Sequence, residues 1–347
     1  MSVVTMTTGR GRKKPGPSIG DVARLAGLSA QTVSRVSTGA DNVRPETRDR
    51  VVTAMNQLGY SPNHAARALR NGVFRTIGLM AHRFERTGEA MITEAVIEAS
   101  ERLDYAVTIV SVQSPGPGGW GKAATRLSHQ AIDGLVIIRA EQDNFELLTL
   151  PRGLPVAVSD SRLAGYYPAV GADQVQGSMQ ATQHLLNLGH PTVHHLAGPA
   201  DSDPANARLA AWQRTLENAG VRPPQAWRGD WTAGSGYEIG QRLAADPNVT
   251  AVYCANDEMA AGVMRAMHEN GRRIPQDISI VGFDGIALGN YLWPPLTTVK
   301  QDFHAIGQEL VRLVVDQISG AIRSTPERVL VHTTLIVRGT TSKPPSQ

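Results

Sequence analysis

Several kinds of chemistry are excluded by what this chain lacks. It holds one cysteine, Cys254, in 347 residues, so it forms no internal disulfide and suits a reducing cytoplasm. Cys254 lies in the apolar run Val249-Thr-Ala-Val-Tyr-Cys-Ala255, where a buried structural thiol is expected rather than a nucleophile. No apolar stretch reaches the 18 residues that a membrane span needs. Arg10, Arg12, Lys13 and Lys14 near the start are not followed by an apolar run, so no secretory signal is read there. The expected location is the cytoplasm.

Catalytic signatures are thin as well. The glycine-rich stretch Ser114-Pro-Gly-Pro-Gly-Gly-Trp-Gly121 lacks the lysine and hydroxyl of a phosphate-binding loop. No G-x-S-x-G elbow occurs. His190, His194 and His195 are close in sequence, but His194 and His195 fall in a strand, where neighbours point to opposite faces. No acidic or thiol partner accompanies them at metal-ligand spacing. The reading is therefore no enzyme, no metal, no cofactor.

Charge is unevenly spread. Residues 1–75 hold 12 Lys+Arg against 4 Asp+Glu, a formal +8; the rest holds 22 against 27, a formal −5. A basic head on a mildly acidic body points to a polyanion that meets only the head. Residues 1–17 are polar, basic and rich in Gly and Pro, and read as a disordered tail.

The head itself, residues 18–62, reads as three short helices. Val22, Leu25 and Ala26 form an apolar stripe on the first, Gly27 supplies a turn, and Ser29 is placed to cap the second. In that second helix Val33 and Val36 face inward, while Gln31, Ser34 and Arg35 share the opposite face. Glutamine can pair bidentately with adenine and arginine with guanine in a major groove. The third helix starts at Pro45 and buries Val51, Met55 and Leu58. Residues 63–74 contain Asn63-His-Ala-Ala-Arg-Ala-Leu-Arg70, a helix too short to hold alone.

From Arg75 onward, short β-branched runs alternate with amphipathic stretches. Strands are expected at Thr76–Ala81, Ala106–Val112, Gly134–Ile138, Val156–Ser159, Val193–Ala197, Val249–Ala255 and Ile278–Phe283, with helices such as Met91–Leu103, Gly177–Leu188, Ala205–Asn218, Gly234–Ala244 and Glu258–Glu269 between them. This is the pattern of parallel sheets covered on both faces, and its length fits two Rossmann-like α/β subdomains. Polar groups recur where apolar strands end: Asp160, then Asn256 and Asp257, then Asp284. Strand C-termini line the ligand crevice in such sheets. Fixed planar acceptors beside an aromatic such as Trp231 suit a polyhydroxylated ligand. A helix N-cap is the other ordinary use of each such residue.

In its ordered motifs the chain resembles the LacI/GalR family of bacterial transcription regulators. They include Asp21-Val-Ala, Gln31-Thr-Val-Ser-Arg-Val, Pro62-Asn, Ala197-Gly-Pro199, Arg208-Leu-Ala-Ala-Trp212, Gly229-Asp-Trp231, Ala255-Asn-Asp-Glu-Met-Ala260, Gly282-Phe-Asp284 and Pro294-Pro-Leu-Thr-Thr-Val-Lys-Gln-Asp302. The resemblance implies a helix-turn-helix headpiece (18–62), a hinge helix (63–74) and a core of the periplasmic sugar-binding type (75–340), followed by a tail at 341–347. Within that core it implies an N-subdomain of about 75–170 and 303–330, and a C-subdomain of about 171–300 and 331–340. It places Ser29, Ala30, Gln31, Thr32, Ser34 and Arg35 on bases and phosphates, with Asn63, Ala66 and a wedging Leu69 at the hinge. It places Asp160, Arg208, Trp231, Asn256, Asp284, Gln301 and Phe303 in the effector cleft.

The segment His82-Arg-Phe-Glu-Arg86 departs from the family pattern with a bulkier, more polar wall, so His82 is read as an effector contact special to this chain. No leucine heptads follow Thr340, so a homodimer is expected rather than a dimer of dimers. The implied function is a repressor that binds a pseudo-palindromic duplex operator and is released by a sugar, with a galactoside or other glycoside foremost. Two alternatives stand beside it: a regulator whose ligand strengthens DNA binding, and a sugar-binding protein without a DNA role.

Overall fold

The computed structural model describes residues 16–37, 40, 42–61, 73–81, 84, 86–112, 126–127, 130–138, 150–159, 163–321 and 327–345. They fall into two compact units, divided between Phe74 and Arg75.

The first unit is the three-helix head. Helix α1 (Ile19–Ala26) begins in a capping box: Ser18 Oγ accepts from the Asp21 N–H, and Asp21 accepts from the Ser18 N–H at 2.9 Å. It ends at Gly27, whose φ of 64° is a left-handed conformation that a side chain would strain. Ser29 then opens α2 (Ala30–Ser37), accepting from the Thr32 N–H at 3.1 Å. Helix α3 (Pro45–Leu58) has proline in its first turn and closes on Gly59. Val22, Ala23, Ala26, Val33, Val36, Val51 and Ala54 make the small core.

Leu25 is a correction to the sequence reading: it is 50% exposed. On an eight-residue helix packed against only two others, the buried stripe is narrow. It runs through Val22, Ala23 and Ala26, and at 100° per residue Leu25 falls on its flank.

The second unit contains two six-stranded sheets. Strands β1 (Thr76–Ala81), β2 (Ala106–Ser111), β3 (Gly134–Ile138), β4 (Val156–Ser159), β5 (Ala169–Ala172) and β11 (Arg328–Val331) form one sheet, ordered β11-β5-β4-β3-β1-β2 and parallel throughout. Helices α4 (Thr87–Arg102) and α9 (Phe303–Ile318) cover one of its faces. The other sheet holds β6 (His194–Ala197), β7 (Trp227–Arg228), β8 (Ala251–Cys254), β9 (Ser279–Asp284), β10 (Thr297–Lys300) and β12 (Thr334–Ile336), ordered β12-β10-β9-β8-β6-β7. Only the β10–β12 pair in it is antiparallel. Helices α5 (Gln174–Asn187) and α6 (Asp203–Asn218) pack on one side of it, α7 (Ala233–Ala244) and α8 (Asp257–Glu269) on the other.

Among the described residues the chain passes between the sheets three times: after β5, after β10 and after β11. Each lobe is thus built from separated segments, and the crossovers lie where both sheets end. The strands are short and nearly continuously apolar because both faces are covered. Cys254 is fully buried, and burial pushes its thiol pKa up, as a structural thiol requires.

Candidate functional site

The carboxyl ends of the strands from both sheets line one cleft of about 560 Å³. Arg208, on the second turn of α6, is buried there. Its Nε donates to Gln174 Oε1 at 2.7 Å and its Nη1 to the Ala255 carbonyl; Nη1 also stands 3.5 Å from Asp284 Oδ1. The guanidinium lies over the Phe283 ring, 3.8 Å from its centroid, and 5.5 Å from that of Trp231. A cation so enclosed is held by carbonyl, amide, carboxylate and π-face together.

Asp284 ends β9 with φ 108°, outside the ordinary range for a side-chain-bearing residue. Its carboxylate accepts from Gln301 Nε2 at 2.6 Å. Burial pushes its pKa up to about 7, with Arg208 pulling the other way. Asp257 sits beneath, fully buried, accepting from the Thr298 hydroxyl at 2.6 Å and the Ile286 N–H at 2.8 Å. Burial and the neighbouring Asp284 raise its pKa to about 8. Both carboxyls are buried, and of the two only Asp284 borders the cleft.

Trp231 also carries a positive φ, 77°. Its carbonyl accepts from Asn256 Nδ2 at 2.9 Å. Its indole lies across Gly198, where an added Cβ would stand 2.5 Å from the ring. Only glycine at 198 admits the ring in this seat. Backbone, carbonyl and ring are each fixed, so the indole presents a preset apolar platform to the cleft.

Asn256 caps α8, its Oδ1 accepting from the Met259 N–H at 3.0 Å, while Nδ2 serves both Trp231 and Glu258 Oε2 at 2.8 Å. In this arrangement its amide shapes the site through protein contacts. Gln301 and Phe303 are buried in the segment that follows β10 and border the cleft. Across the cleft, Glu258 of α8 accepts a hydrogen bond from the hydroxyl of Thr87, the first residue of α4.

Arg208, Trp231, Asn256, Asp284, Gln301 and Phe303 are therefore brought together. His82 and Asp160 lie outside the described residues. Sequence reasoning missed Gln174, whose partner Arg208 is far off in the chain, and Glu258, which joins neighbouring Asn256 to distant Thr87. It noted Asp257 as a strand-end carboxylate but not as the buried support beneath Asp284.

The histidines prove structural. Burial holds His190 below its usual pKa, and the ring hydrogen-bonds Thr250 and Ser279. His195 Nδ1 donates to the Tyr253 carbonyl at 2.8 Å, its ring stacks on Tyr253, and burial lowers its pKa to about 3. Among the described residues no group of three metal-ligating side chains occurs. Nor is any helix there long and apolar enough to cross a membrane.

On the head, Ser29, Ala30, Gln31 and Arg35 are exposed along one side of α2, and Thr32 and Ser34 are half-buried. Asn63, Ala66 and Leu69 lie outside the described residues.

Residues 18–63 match the model of the bacterial regulatory proteins of the lacI family, and residues 182–341 match a periplasmic binding protein-like domain. The lactose operon repressor of Escherichia coli (strain K12) is 33% identical over 94% of this chain and 91% of its own length. The HTH-type transcriptional repressor PurR of Escherichia coli O139:H28 is 32% identical over 92% of this chain and 96% of its own. Among solved structures, the lac repressor dimer bound to operator and the anti-inducer ONPF superposes with a TM-score of 0.84 at 32% identity, covering 94% of this chain and all of that one. The transcriptional regulator CelR in complex with cellobiose superposes with a TM-score of 0.71 at 29% identity, covering 93% of this chain and 99% of that one.

Proposed function

Because the chain belongs to the LacI family of bacterial regulatory proteins, we propose that it is a cytoplasmic homodimeric repressor, released from a pseudo-palindromic operator when a sugar fills the core cleft. One observation carries the effector half: the buried Arg208–Asp284 pair beside the seated Trp231 indole. Donor fork, acceptor and apolar platform match a sugar, whose hydroxyls both donate and accept and whose C–H face is apolar. The CelR–cellobiose likeness supports a glycoside. Asp160 and His82 would extend the same wall, and no catalytic role is assigned to any residue.

The output half is α2. Ala30, Gln31 and Arg35 read base edges in the major groove, while Ser29, Thr32 and Ser34 touch phosphates or bases. Asn63, Ala66 and Leu69, in the hinge segment, enter the central minor groove, with Leu69 as the apolar wedge. Two heads on one palindrome require a dimer. Leu288, Tyr291, Trp293 and Val337, each more than half exposed, supply an apolar face of the kind that associating proteins bury.

The sugar can move the operator equilibrium only by its differential affinity for two arrangements of the lobes, and a shift from mostly bound to mostly released requires about 5 kcal/mol of it. A panel of ribose, cellobiose, lactose and ONPG, added to the protein on duplex DNA from its own promoter, tests the reading. Release by one of them in the wild type, lost in Arg208→Ala with DNA binding intact, is the expected result. An Arg208→Ala protein released at the same sugar concentration overturns the cleft assignment. In the alternative reading the ligand strengthens DNA binding. The sign of the shift in the same titration separates the two.

A further inference from the structure

Gln174 stands at the first crossover, as the opening residue of α5, and borders the cleft. Four side chains close a ring through it. Arg208 Nε donates to Gln174 Oε1 at 2.7 Å; Gln174 Nε2 donates to Gln301 Oε1 at 3.3 Å. Gln301 Nε2 donates to Asp284 Oδ1 at 2.6 Å, and Asp284 Oδ1 faces Arg208 Nη1 at 3.5 Å. The direction is set from the arginine end. An arginine can only donate, so Gln174 offers Oε1 to it and donates onward from Nε2, and Gln301 then accepts at Oε1 and donates from Nε2 to Asp284.

Gln174 is the member that makes the ring continuous. Arg208 comes from α6, Asp284 from the end of β9, and Gln301 from the second crossover, after β10. Without the amide at 174, Arg208 Nε and Gln301 Oε1 would each lose a partner while buried, and both side chains could rotate. With it, two guanidinium nitrogens of Arg208 are committed to protein, and Nη2 makes no hydrogen bond among the described residues. That nitrogen is therefore kept for a ligand oxygen.

The ring also reaches the crossovers themselves. Two residues on, Gln176 Oε1 accepts from the Thr333 hydroxyl at 3.0 Å and the Thr333 N–H at 3.2 Å, in the third crossover. A ligand pulling on Arg208 or Gln301 thus pulls on the segments that join the lobes.

We propose that Gln174 is a positioning residue for the effector: it presets Arg208 and Gln301 for a ligand and ties their engagement to the crossovers. This rests on the reading of the cleft as the sugar site. The test compares wild type, Gln174→Met, Gln301→Met and the double variant by calorimetric titration with cellobiose and with ONPG, alongside melting curves. Either single change breaks the same ring. Each is expected to weaken sugar binding about tenfold, and the double variant to bind no worse than the weaker single, with melting points lowered by several degrees but unfolding still cooperative. Wild-type affinity in Gln174→Met, or losses that add in the double variant, overturn the proposal.

If neither sugar binds the wild type, it is the choice of these sugars as effectors that fails, and the ring is read without ligand in ¹⁵N-arginine spectra, with Arg208 assigned through Arg208→Lys. A displaced Arg208 Nε–H resonance in Gln174→Met supports the ring. An unmoved one overturns it.

Discussion

At the residue scale, the cleft is built from groups held in costly states by their surroundings. Asp257 and Asp284 are carboxyls buried so far that their pKa values rise to about 8 and 7. A carboxyl raised in the folded state contributes stability that is fully present below its unfolded value, about 3.9, and is lost as pH rises through the folded value. His195, lowered to about 3, works the other way: its contribution is present above about 6.5 and lost as pH falls toward 3. Between about pH 6.5 and 8 the carboxyls therefore act unopposed by His195. Core stability is expected to fall across that window, by at most about 1.4 kcal/mol per pH unit for each group. Asp257→Asn, which keeps an acceptor for Thr298 or Ile286, should flatten the slope in denaturant titrations at several pH values. An unchanged slope would refute the assignment. The seat of Trp231 gives a second residue-scale expectation. Gly198→Val sets a side chain where the indole rests, so sugar affinity should drop at least tenfold while the full-length variant still binds DNA. Fluorescence titration and a DNA-binding assay read the two arms separately.

At the element scale, what was legible in the sequence depends on where each element finds its partners. The helices of the head carry their own signals: the Ser18 and Ser29 caps, the left-handed Gly27, and Pro45 at a helix start. Local chemistry predicts local structure there, apart from Leu25, whose place on the flank only the packing of three helices decides. Ser29→Ala removes the acceptor for the Thr32 N–H and is expected to destabilise the head by about 1 kcal/mol. A thermal melt of the head alone would show it, and an unchanged melting point would deny the cap its role. Strands β1, β3, β4, β8 and β9 are likewise legible, as apolar runs buried on both faces. Strands β5, β11 and β12 are not. They are three or four residues long, and β11 pairs with β5 across more than 150 residues of chain. Their identity lies in the partner rather than in their own periodicity. The same reasoning separates the site residues: Arg208, Trp231 and Asp284 stand in recognisable motifs, whereas Gln174 gains its place only when α5 packs beside α6, and Glu258 its bond to Thr87 only when the lobes meet.

At the scale of the whole molecule, a repressor of this design needs two heads to act on one DNA. Each head is a small unit with a core of a few apolar side chains, and a single α2 offers few base contacts. Linking two heads raises affinity by about 10²–10⁴ over one, through effective concentration rather than new contacts. The apolar face on the second lobe is where this link is expected. Trp293 is 92% exposed and Tyr291 83%, an exposure that large aromatic side chains seldom keep without a partner. Trp293→Glu places a charge in that face, far in sequence from α2 and outside the lining of the cleft. It should yield monomers at micromolar concentration in sedimentation experiments and weaken operator binding by about a hundredfold. Sugar binding, which depends on residues within one chain, should stay near the wild-type value. A variant that remains dimeric would place the interface elsewhere. One that turns monomeric yet binds the operator at full strength would overturn the need for paired heads.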